Sequence, residues 1–163
     1  MAAKITLIQE DINQLQVDSI VVCSYLSSSK GHDENRQSVD GVSISIAETI
    51  ASDPWLAEVV IQLNISHVTD SAKDTSAQIH SSYCQALHCA DGAGIRSIAF
   101  RVMGNHESTG PCMLSAAHLC QLAISAVSEA SIQYDNLRKI IICAQSDAQY
   151  ACLVDALQSE QLH

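Results

Sequence analysis

The chain has 163 residues, 47% of them apolar and 16% charged, a globular composition with length enough for one domain to bury its own core. Eighteen acidic against eight basic side chains give a formal net charge of −10. That balance excludes nucleic acid and anionic membrane surfaces as general partners, since both are bound through Lys and Arg.

Ile5, Leu7 and Ile8 signal a short first strand, broken by Glu10, Asp11, Ile12 and Asn13. Residues 17–23 are apolar and β-branched, as in a parallel strand buried on both faces. Residues 27–37 hold no large apolar side chain and read as a loop. Val42, Ile46, Thr49 and Ile50 are spaced as one helix face, which predicts a helix from about Val42 to Ile50. Asp53 and Pro54 suit a helix start, and the lone Trp55 is expected to anchor the core. A strand follows from about Val60 to Ile65. Residues 71–90 form a helix with Ile79, Tyr83, Leu87 and Ala90 on one face, closed by Gly92 as its cap. Residues 95–103 are a strand, and Pro111 opens a helix running to about Ser128. Residues 139–144 are the most apolar strand, after which Ser146 and Asp147 cap a last helix.

Strands alternating with helices predict an α/β protein, a three-layer α/β/α sandwich around a mixed, mostly parallel sheet, in a single domain. Ligands of such sheets collect at the carboxyl ends of the strands. Three loops qualify: residues 10–13, 23–38 and 104–110. Seven cysteines show no CxxC spacing, MAAKITLIQED has no apolar leader, and no apolar run reaches about 18 residues, so a cytoplasmic protein with reduced thiols is expected.

Four stretches, in this order, resemble the macro domain, the α/β module associated with ADP-ribose. ITLIQEDINQLQVDSIVV is similar to the family's first strand, its Gly-Asp-Ile-Thr turn and its Val-Asp-Ala-Ile-Val-Asn strand. SVDGVSISIAETI resembles its Gly-Val-Asp-Gly-Ala-Ile helix start. SIAFRVMGNHESTGP matches the length of its Ser-Ile-Ala-Phe-Pro strand and Ser-Thr-Gly-Val-Tyr-Gly phosphate loop. KIIICAQSDAQYACLVDAL resembles its last strand and helix. Between Ile50 and Val60 the chain is shorter than the family pattern, by as much as one strand.

The resemblance implies a ligand site. Asp11 stands where the family's Asp receives the adenine amino group, with Ile12 after it; the plainer reading is a turn Asp that binds its own backbone. Tyr25 stands where the hydrolases of the family carry their functional Asn, so ADP-ribosyl hydrolysis is not expected. Val39, Asp40 and Gly41 match a helix start whose N–H groups would face phosphate. Gly104, Asn105, His106, Glu107 and Ser108 fall in the second phosphate loop, where two structural glycines have become His106 and Thr109. The resemblance thus implies weak binding of ADP-ribose or a related nucleotide, with no cofactor. The alternative is a protein-interaction module whose cleft no longer takes nucleotide, its acidic surface suiting a basic partner.

Two other constellations have plain explanations. His106 beside Glu107, with Cys112 at a helix start, has the residue types for acid–base or thiolate chemistry, but nothing in the spacing makes these groups face one another. His80, Cys84 and His88 lie on one helical stripe, yet no further ligand is evident, so no metal is expected.

Overall fold

The computed structural model describes residues 3–25, 38–39, 42–48, 56–65, 72–103 and 115–161. In chain order these form β1 (Lys4–Ile8), a 3-10 turn η1 (Ile12–Gln14), β2 (Ser19–Tyr25), β3 (Ser38–Val39), β4 (Val42–Glu48), β5 (Val59–Ile65), α1 (Ala72–Gly92), β6 (Ser97–Arg101), α2 (Ala116–Gln133), β7 (Lys139–Cys143) and α3 (Asp147–Gln161). The described strands make one sheet in the order β1-β7-β6-β2-β5-β4-β3. The run from β1 to β5 is parallel, while β4 and β3 are antiparallel additions at one edge. The expected mixed, mostly parallel sheet is what forms.

Period-two alternation sends each parallel strand's side chains to two apolar faces. On one face Val21, Ile61, Leu63, Ile98, Phe100, Ile140 and Ile142 meet the apolar stripes of all three α-helices. On the other, Ile20, Ala99, Ile141 and Cys143 meet Ile12, Val17 and Ala57, so a thin layer built on η1 covers that side among the described residues. No helix among the described residues is long and apolar enough to cross a membrane.

Asp18 ties the strand entrances together. Its carboxylate accepts from the Arg96 and Ser97 N–H groups at 3.1 and 3.2 Å, and its carbonyl accepts from Val59 N–H at 3.0 Å. Its own N–H donates to Ser97 Oγ at 2.8 Å. β2, β5 and β6 therefore begin in register.

Three expectations are corrected. Residues 42–48 are a strand, not a helix: β4 pairs along its whole length with β5, from Val42↔Ile65 to Glu48↔Val59. Val42, Ile44 and Ile46 alternate as well as they fit a helix, and the open edge of β5 decides between the periods. Of the helix start expected at Val39, Asp40 and Gly41, Val39 lies in β3, and Asp40 and Gly41 lie outside the described residues. The cap of α1 is Gly94 rather than Gly92. Gly94 has φ 74°, and the bonds from Ile95 N–H to Ala90 O and from Gly94 N–H to Asp91 O are those of a Schellman motif. Helix α2 begins at Ala116, not at Pro111: Ser115 is extended (φ −69°, ψ 158°) and its hydroxyl accepts from His118 N–H. Helix α3 starts as expected, with Ser146 Oγ accepting from Gln149 N–H at 3.1 Å.

Candidate functional site

Parallel strands that end at one level leave their last residues side by side. Ile8, Cys143 and Arg101, closing β1, β7 and β6, are register partners, and Ala144 N–H donates to Ile8 O at 2.7 Å. Beyond this edge the chain turns away on each strand, and a hollow of about 530 Å³ opens between the turns. Among the described residues its wall is Gln9, Glu10, Asp11 and Asn13 after β1, Arg101 at the end of β6, and Cys143, Ala144 and Gln145 on β7 and beyond. That volume falls within the roughly 300–1,000 Å³ of small-molecule sites.

Asp11 is held from two sides. Its Oδ1 accepts from Asn13 N–H at 2.9 Å, capping η1, and the same oxygen lies 3.8 Å from the Arg101 guanidinium. Both side chains of this ion pair are about half exposed, so water screens it and it is worth at most about 1 kcal/mol. Asn13 O in turn accepts from Leu56 N–H at 3.2 Å, which anchors the turn on the segment leading to β5. The Ile12 side chain is buried in the thin layer, so only its backbone can face a ligand.

Cys143 is a poor nucleophile here. Burial pushes its thiol up from the ordinary 9.0 to about 11; Arg101 opposes the shift, and Glu10 and Asp11 add to it. The thiol therefore stays protonated at neutral pH, and the hollow offers hydrogen-bonding groups rather than a thiolate.

Of the residues expected at the site, Asp11 and Ile12 lie in the turn that forms the hollow. Tyr25 is the last residue of β2, paired with Ile65, and Val39 pairs with Val42 in the β3–β4 ladder. Asp40, Gly41, Gly104, Asn105, His106, Glu107 and Ser108 lie outside the described residues, as do Trp55 and Cys112. The described chain reaches Met103, whose N–H donates to the buried Tyr83 hydroxyl at 2.6 Å, so the segment after β6 leaves from a fixed point. Sequence reasoning missed Arg101 and Cys143. A signal existed for the first: Arg101 stands where the family has Pro, as a lone cation closing an apolar strand in a protein short of cations.

No family model matches the sequence, and no curated protein matches it. Solved structures do match the fold. A macrodomain variant from Oceanobacillus iheyensis superposes with TM-score 0.74 at 12% identity, over 96% of this chain and 92% of that one. A second O. iheyensis variant, solved with ADPR, gives 0.73 at 14% identity over 96% and 93%. The Trypanosoma brucei macrodomain in complex with ADP-ribose gives 0.68 at 14% identity, covering 94% of this chain and 68% of that one.

Proposed function

We propose that this chain, which has the macro-domain fold, binds ADP-ribose or a related nucleotide weakly and does not hydrolyse ADP-ribosyl bonds. The observation that carries the reading is the hollow at the carboxyl ends of β1, β7 and β6, with Asp11 on its wall. The neighbours solved with ADPR and with ADP-ribose support the choice of ligand. Asp11 Oδ1 is engaged by Asn13 N–H and Arg101, so an adenine amino group has to compete for the carboxylate or use its second oxygen. Breaking an exposed ion pair costs up to about 1 kcal/mol, within tenfold in Kd. Loss of the glycines at His106 and Thr109 removes the close backbone approach that a diphosphate needs. Tyr25 in place of Asn removes the group the hydrolases use.

Thermal denaturation with millimolar ADP-ribose tests the reading. At ten times Kd, binding to the folded state alone adds about 1.4 kcal/mol, or about 3–6 °C in Tm for a chain of this length. Asp11→Ala abolishes the shift, and loss of its cap and ion pair lowers the unliganded Tm by about 2–8 °C without unfolding the chain. No shift up to millimolar ADP-ribose, ADP or AMP overturns the proposal in favour of a protein-interaction module. Release of ADP-ribose from a modified protein substrate overturns its non-hydrolytic half.

A further inference from the structure

Helices α1 and α2 pack side by side, and three side chains able to donate an electron pair to a metal converge on that seam. His80 and Cys84 are one turn apart on α1, so they share a face. Glu129 arrives from α2. Cys84 Sγ lies 3.6 Å from His80 Nδ1, and His80 Nε2 lies 3.6 Å from Glu129 Oε2. One donor atom from each residue can be taken so that all three lie within 4.8 Å of one another. The stripe visible in the sequence is thus regrouped. His88, one turn further on, points its ring at Tyr134 with centroids 5.8 Å apart. Glu129 supplies the ligand that the spacing along α1 lacks.

We propose that His80, Cys84 and Glu129 bind a zinc ion that clamps α1 to α2. The donor set selects the metal: calcium and magnesium take oxygen ligands, whereas zinc takes sulfur, nitrogen and oxygen together. A tetrahedral ion with ordinary Zn–S and Zn–N lengths holds those two atoms about 3.6 Å apart. The Cys84–His80 pair has that separation already. Glu129 Oε2 stands beside the other ring nitrogen, Nε2, so its side chain, 60% exposed, has to swing toward the Nδ1 edge to join them. His80 is 33% exposed, so the seam opens to water on one side, and water takes the fourth position. On binding, the Cys84 thiol gives its proton to solvent and ligates as thiolate. None of the three residues lines the hollow at the strand ends, so the site is independent of nucleotide binding.

Cobalt(II) titration of the full chain with its thiols kept reduced tests this. One equivalent of Co²⁺ is expected to give a thiolate-to-metal charge-transfer band that Zn²⁺ bleaches. Cys84→Ser removes the band, Glu129→Gln weakens Co²⁺ binding by about tenfold or more, and His88→Ala leaves it unchanged. If Cys84→Ser does not fold, as judged by circular dichroism, Glu129→Gln at its exposed position decides alone. Absence of the band in the wild-type chain, an undiminished band in a folded Cys84→Ser, or wild-type affinity in Glu129→Gln overturns the proposal.

Discussion

Tyr83 shows how one hydroxyl fixes a functional edge. Its ring stacks obliquely on Phe100, with centroids 5.2 Å apart, and its oxygen receives the Met103 N–H. Tyr83→Phe keeps the ring and leaves that buried N–H without its acceptor, at a cost of about 1–3 kcal/mol. Urea denaturation should show a lower midpoint with an unchanged slope. Cys143 carries a second expectation. Its folded pKa is raised, so its contribution to stability is complete below pH 9, where both states hold the proton. Above that the unfolded thiol ionises while the folded one does not, and the contribution disappears as pH climbs to about 11. The urea midpoint should fall across this window, and less so in Cys143→Ala. Asp11 could be picked out from sequence only through its place in the resembling turn, since by residue type it reads as an ordinary turn Asp. Its tie to Arg101 could not, because that contact depends on β1 and β6 flanking β7, which no local pattern encodes.

Elements were legible where one periodicity stood alone. The five parallel strands are apolar runs bounded by polar breaks, and α1 and α3 carry both an apolar stripe and a polar start or stop. Residues 42–48 satisfied two periods, because serines alternate with Val42, Ile44 and Ile46 while Val42 and Ile46 also stand a helical turn apart. The tie was broken by seven residues of β5 in need of a partner, a fact about the sheet. The end of α1 offers a paired test. Gly94 holds a left-handed φ, so Gly94→Ala should destabilise by about 1 kcal/mol. Gly92 is helical and a Cβ there meets nothing within 4 Å, so Gly92→Ala should stabilise by about 0.5–1 kcal/mol. Opposite Tm shifts from two alanines two residues apart would confirm which glycine is the cap.

For the whole molecule, charge and topology are the properties that matter. A dianionic nucleotide approaching a chain with net charge −10 is repelled at long range. Salt shortens that repulsion to about 10 Å at 0.1 M. The affinity for ADP-ribose should therefore rise with moderate salt, measured by calorimetry, opposite to the trend of a cation-lined phosphate site. Topology has a consequence for biogenesis. Strand β7 is the slat between β1 and β6, and it is the last of the described strands to leave the ribosome. Until it emerges, the first strand has no neighbour to join and the nascent sheet shows an uncovered ladder of amides. The sheet cannot close before Lys139–Cys143 has been made, and a polypeptide stalled before Lys139 would be a client for chaperones instead of a half-built domain.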